Sequence, residues 1–306
     1  MKGIVLKSTG KFYKVKLENE SVIEAQLKGK IRLLDLDVTN PVAVGDVVLL
    51  EKSDKTWMIS KIEDRKNYII RISPKKKFLN QIIASNIDQA VLVITLSKPR
   101  TSTGFIDRFL LTAESYHINT IIVFNKQDDL SNKDQTKQNE LADLYQGIGY
   151  EVLFTSAIKK QGVEELKQKM KEKTTLLSGH SGVGKSTLTN AVDSTLNLKT
   201  KEVSKKFSKG VHTTTHAEMF SLPFGGNVID VPGIKEFGIA HLDKYEVADY
   251  FIEFQAKAAN CKFSDCLHIN EPKCKVKEAV DEGEIHVERY LNYLNILDSL
   301  EEQKEY

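Results

Sequence analysis

The chain has 306 residues, 28% of them charged and 41% hydrophobic, with a formal net charge of +2; this balance describes a packed globular protein and excludes a disordered or fibrous one, and the length allows for more than one domain. No apolar run approaches the roughly 18 residues that a bilayer span requires, and residues 1–11 hold no stretch suited to a signal peptide, so a cytoplasmic protein with no membrane partner is expected. So slight a positive excess does not itself argue for nucleic acid, although Lys75, Lys76 and Lys77 form one local cluster and Lys199, Lys201, Lys205, Lys206 and Lys209 another, each able to face either phosphate or solvent.

Residues 1–64 carry short alternating apolar runs, at 15–17, 22–27 and 47–50, broken at Gly10, Gly29 and Gly45. About five short strands in this span predict a small β-barrel, of the oligonucleotide-binding kind in preference to an SH3-like one. Residues 65–77, polar and basic around Pro74, read as a connector. Strands then alternate with helices. Residues 89–96 and 120–124 are continuous apolar runs of the sort covered on both faces, and 105–115 between them has helical periodicity. Further strands at 151–154, 175–178 and 227–231, with helices near 135–145, 163–171 and 185–192, predict a parallel α/β domain over residues 73–239. Residues 240–306 read as helices around a cysteine and histidine cluster, ending in a charged tail.

The first chemical motif in chain order is Asn125-Lys126-Gln127-Asp128, directly after the strand that ends at Phe124. A carboxylate there can accept from guanine N1 and N2, whereas adenine lacks that donor pair and would leave the acid unpaired. Asn125 is expected to orient the loop and approach the far edge of the base, and the Lys126 stem to cover its face. Thr155-Ser156-Ala157, after the next strand, offers backbone N–H groups to the guanine oxygen.

Gly179-His180-Ser181-Gly182-Val183-Gly184-Lys185-Ser186 fits G-x-x-x-x-G-K-[ST] and sits between a predicted strand and helix. Glycines let successive N–H groups turn toward phosphate, and the helix N-terminus, with Thr187 in its first turn, adds free donors. Lys185 is expected to reach the β- and γ-phosphates and Ser186 to bind Mg²⁺. Downstream, Thr213, Thr214 and Thr215 occupy a lysine-flanked stretch suited to meeting the same metal, with Thr214 representing the three. Asp230-Val231-Pro232-Gly233 fits D-x-x-G, with Asp230 holding Mg²⁺ and the Gly233 N–H facing the γ-phosphate. Ile234 stands where Ras-like enzymes carry the glutamine that orients the attacking water. His212 is the candidate for that task, an exposed loop histidine is its competing reading, and His180 and His216 are weaker choices.

Cys261, Cys266, His268 and Cys274 give C-x4-C-x-H-x5-C. An odd cysteine count confined to so short a span is a poor disulfide framework. Three thiolates and an imidazole instead fill the four positions of a closed structural zinc site. The flanking segment reads as too short and polar to hold a core alone, so metal binding is expected to contribute directly to its folding.

Guanine recognition placed ahead of the phosphate loop, a zinc cluster behind it and a barrel in front resemble the bacterial ribosome small-subunit-dependent GTPase A family, over nearly the whole chain. Ile83-Ala84-Ser85-Asn86-Ile87-Asp88-Gln89, Phe105-Ile106-Asp107-Arg108-Phe109 and Arg289-Tyr290 extend the match. The resemblance implies a barrel that docks on ribosomal RNA, a circularly permuted GTPase domain and a zinc-binding helical domain. It also implies GTP hydrolysis stimulated by the small ribosomal subunit during its late maturation, the GTP form engaging the particle and hydrolysis releasing it. A monomer alternating between GTP and GDP is expected. The chain departs from the family at Val211, where arginine is usual, and at Val231, where threonine is usual. An RNA-binding module with a vestigial nucleotide site is disfavoured by the intact Lys185, Ser186 and Asp230, and an ATPase or nucleotide kinase by Asp128.

Overall fold

The computed structural model describes residues 1–28, 40–53, 56–72, 80–196, 217–231 and 242–304. The barrel comprises β1 (Lys2–Ser8), β2 (Tyr13–Leu17), β3 (Val22–Leu27), β4 (Val47–Ser53) and β5 (Thr56–Ile62). Its order is β1-β2-β3-β5-β4, and β4 pairs back with β1, so the sheet closes on itself. Only the β3–β5 pairing is parallel. This is the five-stranded Greek-key closure of the oligonucleotide-binding barrel. Period-2 alternation fills it: Tyr13, Val15 and Leu17 are buried while Lys14 between them is exposed, and they pack with Val5, Ala25, Val48, Leu50 and Ile59.

Of the stretch read as a connector, residues 65–72 are described and end in a strand. β6 (Tyr68–Ile72) pairs antiparallel with β7 (Asn80–Ser85), and Ile69 and Ala84 join the main α/β core. Arg65, which resembles a solvent-facing linker residue in sequence, is instead the counter-ion of the fully buried Asp46. Its Nε and Nη2 donate to the two Asp46 carboxylate oxygens at 2.7 and 2.6 Å, while Ser85 Oγ and the Ala43 N–H complete that carboxylate's shell. Gly45 has φ +92°, and a Cβ there would lie 2.2 Å from the Ser85 carbonyl oxygen, so only glycine allows the two segments to close.

The α/β unit runs β8 (Gln89–Ile94), α1 (Thr103–Ser115), β9 (Asn119–Phe124), α2 (Asn132–Ile148), β10 (Glu151–Phe154), α3 (Val163–Met170), β11 (Thr174–Ser178), α4 (Lys185–Val192), β12 (Glu218–Ser221) and β13 (Asn227–Asp230). Strand order is β10-β9-β8-β11-β13-β12, parallel throughout except for β12. Every residue of β8 is buried, because apolar clusters cover both faces of the sheet. Strand β12 also meets β1 through Lys7 and Glu218, joining barrel and α/β sheet edge to edge.

The C-terminal module contains α5 (Ile252–Ala258), α6 (Lys275–Asp281) and α7 (Val287–Lys304). It has a core of its own, with Phe251, Phe254, Val276, Ile285, Tyr293 and Leu297 packed together and against Leu111 of α1. The polar-segment reading therefore holds only for residues 259–274, which form no helix. Across the α1–α7 joint, buried Asp107 accepts from Arg289 Nη1 (2.7 Å), Tyr145 Oη (2.8 Å) and Asn292 Nδ2 (2.6 Å). Arg289 also donates to both oxygens of Glu253 and lies over the Phe251 ring at 4.4 Å. Two sequence motifs with no evident task thus meet in one buried ion-pair network.

Candidate nucleotide site and metal centre

Strands β8, β9, β10, β11 and β13 all present their C-terminal ends to one edge, which is where α/β sheets bind ligands. The loop leaving β11 turns through three glycines of positive φ, Gly179 (+138°), Gly182 (+90°) and Gly184 (+96°). A Cβ at Gly179 would sit 2.2 Å from the Val93 carbonyl oxygen, and one at Gly184 would sit 2.6 Å from Asn125 Nδ2. The glycine spacing is thus demanded by neighbouring strands as well as by phosphate. At the start of α4, Lys185 Nζ donates to the carbonyls of Gly179 (2.6 Å) and His180 (3.0 Å). Burial lowers the proton affinity of this ammonium, and Asp230 on β13 acts against that. Burial also raises the Asp230 carboxyl, and the Lys185 charge pulls it back. Ser186 and Thr187 lie half-buried in the first turn of α4. The His180 ring stacks on Phe105 of α1, centroids 3.8 Å apart.

The loop that follows β9 is tied to this one by the buried Asn125 side chain. Asn125 Nδ2 donates to the Val183 carbonyl at 2.9 Å, and Asn125 Oδ1 accepts from Thr155 Oγ1 at 2.9 Å. Its amide therefore spans the phosphate loop and the Thr155-Ser156-Ala157 loop. Lys126 takes left-handed backbone angles (φ +67°) and sends Nζ to the Lys98 carbonyl at 2.7 Å, its stem passing beside Gly184. Asp128, in a short 3-10 turn, accepts a short hydrogen bond from Ser156 Oγ, which also accepts from the Lys159 N–H. Ala157 follows, half-buried. The turn closes at Gly162, where a Cβ would lie 2.1 Å from the Phe154 carbonyl oxygen.

A fourth segment, missed in the sequence, completes the wall. In the β8–α1 loop Thr95 Oγ1 donates to the Pro99 carbonyl at 2.5 Å, Pro99 packs against Gly182, and Lys98 holds Lys126 through its carbonyl. Its signal was positional: a Lys98-Pro99 pair leaving a buried strand at the same sheet edge. His212, Thr213, Thr214, Thr215, His216, Pro232, Gly233 and Ile234 lie outside the described residues, as do Val211 and the lysine clusters at 75–77 and 199–209.

In the C-terminal module the ligand atoms of Cys261, Cys266, His268 and Cys274 all lie within 4.8 Å of one another. His268 Nδ1 is 3.3 Å from Cys274 Sγ and 3.7 Å from Cys261 Sγ, close to the edge lengths of a tetrahedron with metal–ligand distances of about 2.0–2.3 Å. Burial and the adjoining cysteines push the Cys266 thiol up to about 12, a state that a dication at the centre would reverse. The four residues fit one structural zinc ion. The loop is held from outside: Glu271 accepts from the N–H groups of Leu267 and Ile269, Tyr290 Oη donates to the His268 carbonyl and Tyr293 Oη to the Leu267 carbonyl.

Comparison with known proteins agrees with this architecture. Residues 2–57 match the RsgA N-terminal domain and residues 62–240 the RsgA GTPase domain. A protein from Christiangramia forsetii called small ribosomal subunit biogenesis GTPase RsgA is 49% identical over 99% of this chain and 97% of its own length. Its namesake from Flavobacterium psychrophilum is 50% identical over 99% and 94%. Among solved structures, YjeQ from Thermotoga maritima superposes with a TM-score of 0.78 at 37% identity, covering 98% of each chain. YloQ, described as a circularly permuted GTPase, gives 0.74 at 30% identity over 99% of this chain and 95% of its own.

Proposed function

The chain belongs to the RsgA GTPase family, and from that premise we propose that it couples GTP hydrolysis to late maturation of the small ribosomal subunit, which stimulates the reaction. The observation that carries this reading is the Asn125 bridge: one amide joins the phosphate loop to the loops bearing Asp128 and Ser156, so base choice and triphosphate grip form a single site. In our reading Asp128 reads guanine N1 and N2, Lys126 covers the base, and Thr155, Ser156 and Ala157 face its oxygen. The backbone of residues 179–184 cradles the phosphates. Lys185 would exchange its two loop carbonyls for phosphate oxygens, as suits an ammonium already deprived of water.

Ser186, Asp230 and Thr214 would hold Mg²⁺, and an ion bound there would neutralise charge developing on the phosphates. Ser186 and Asp230 already flank the phosphate loop from α4 and β13. Ile234 in place of glutamine leaves water orientation to another group, for which we assign His212, with Gly233 facing the γ-phosphate. The domains run over 1–64, 73–239 and 240–306, with RNA taken on the barrel and one zinc ion in the last. The protein acts as a cytoplasmic monomer; no helix among the described residues is long and apolar enough to cross a membrane. Phosphate release from GTP and from ATP, with and without purified small subunits, tests the proposal. GTP turnover should be slow alone and rise on the order of tenfold or more with subunits, and ATP turnover should not; equal rates with and without subunits would refute it.

A further inference from the structure

Three charged residues stand in one row across the joint between barrel and α/β sheet. Lys7 of β1 lies directly opposite Glu218 of β12, and Glu218 directly opposite Asp230 of β13. Directly opposed residues of antiparallel strands carry their side chains on the same face. Lys7 Nζ closes on Glu218 Oε2 at 2.7 Å, the two side chains being 30% and 26% exposed, so the pair is only partly screened by water. Glu218 in turn acts on Asp230 by repulsion, while Lys185 attracts it from the other side. The row thus runs from a cation of the barrel through two carboxylates, the second of which also feels the Lys185 cation of the phosphate loop.

We propose that Lys7 and Glu218 are positioning residues for the cation site at Asp230. Glu218 adds negative potential beside that carboxylate, and Lys7, supplied by the other domain, holds the potential down. This rests on the reading of Asp230 as the magnesium-side carboxylate. It follows that an RNA phosphate drawing Lys7 off Glu218 strengthens cation binding at Asp230, so occupancy of the barrel reaches the nucleotide site through one ion pair, with no movement of the sheet.

The sign of the effect separates this role from a structural one. The readout is the Mg²⁺ concentration that half-saturates binding of a fluorescent, non-hydrolysable GTP analogue to the full chain. Lys7→Gln should lower that concentration by roughly two- to fivefold and Glu218→Gln should raise it by a similar factor, the scale of a partly screened charge. The double variant should fall between Glu218→Gln and the unaltered protein, because it removes the opposing charges together, and Lys7→Arg should match the unaltered protein. Glu218→Gln carries the sign by itself should Lys7→Gln fail to fold. Shifts of both single variants in the same direction, or no shift in either, would overturn the proposal. Binding by the unaltered protein that is independent of Mg²⁺ would overturn the assignment of Asp230, and this inference with it.

Discussion

Arg289→Ala should cost about 3–5 kcal/mol of stability at the α1–α7 joint, the scale for removing one partner of a buried ion pair. Arg289 is 2% exposed and its partner Asp107 is 1% exposed. Burial alone would weaken the guanidinium's hold on its proton, yet the carboxylates of Asp107 and Glu253 more than offset it and leave that hold stronger than ordinary. Truncation leaves both carboxylates facing a cavity over Phe251, without the three hydrogen bonds that the guanidinium donates to them. Asp107→Ala/Arg289→Ala should cost less than the sum of the single changes, since the second truncation removes the charge that the first one stranded. The chain's one tryptophan, Trp57, lies in the barrel, so its fluorescence reports on the wrong domain. Hydrogen exchange of amides in α1 and α7 is the measurement that resolves the effect. A loss below about 1 kcal/mol, the value of an exposed pair, would show that the network contributes little.

Removing the zinc should be equally severe but confined. Residues 259–274 have turns and no helix, with His268 and Cys274 the residues buried there, so a zinc ion bound by the cluster would take the place of a core in that loop. Structural zinc contributes up to about 10–16 kcal/mol of apparent binding energy in small peptides, an upper bound here because Glu271, Tyr290 and Tyr293 also hold the loop. A strong chelator, or Cys274→Ser, should abolish exchange protection across the loop and the start of α6. Protection in α7 should persist, since Tyr293, Ile296, Leu297 and Leu300 have apolar partners. Elemental analysis should find one zinc per chain. Protection of residues 261–274 unchanged after complete metal removal would contradict this account.

The elements legible in the sequence were those whose signal is local. Strands β8 and β9 announce themselves as unbroken apolar runs, the phosphate loop by glycines that no other residue can replace at those angles, and the metal cluster by ligand spacing. What escaped reading depends on partners distant in the chain. Arg65 looks like a linker charge because Asp46, which pairs with it, lies two barrel strands earlier in the chain. Phe105 looks like an ordinary helix residue until α1 brings it over His180 of the phosphate loop. Lys98 serves the site through its carbonyl, which no side-chain pattern records. The C-terminal core was underestimated because its apolar residues are spread over two short helices, α7 and the loops between them, and completed by Leu111 of α1.

The account depends most on Asp128 choosing guanine from a loop that precedes the phosphate loop in the chain. Calorimetric titration of the full chain with GDP and with ADP, each with Mg²⁺, tests it most directly. A site built to hydrogen-bond N1 and N2 should reject adenine by several orders of magnitude, on the order of 10⁴, and ADP binding should be too weak to register beside GDP. Equal affinities for the two would contradict it.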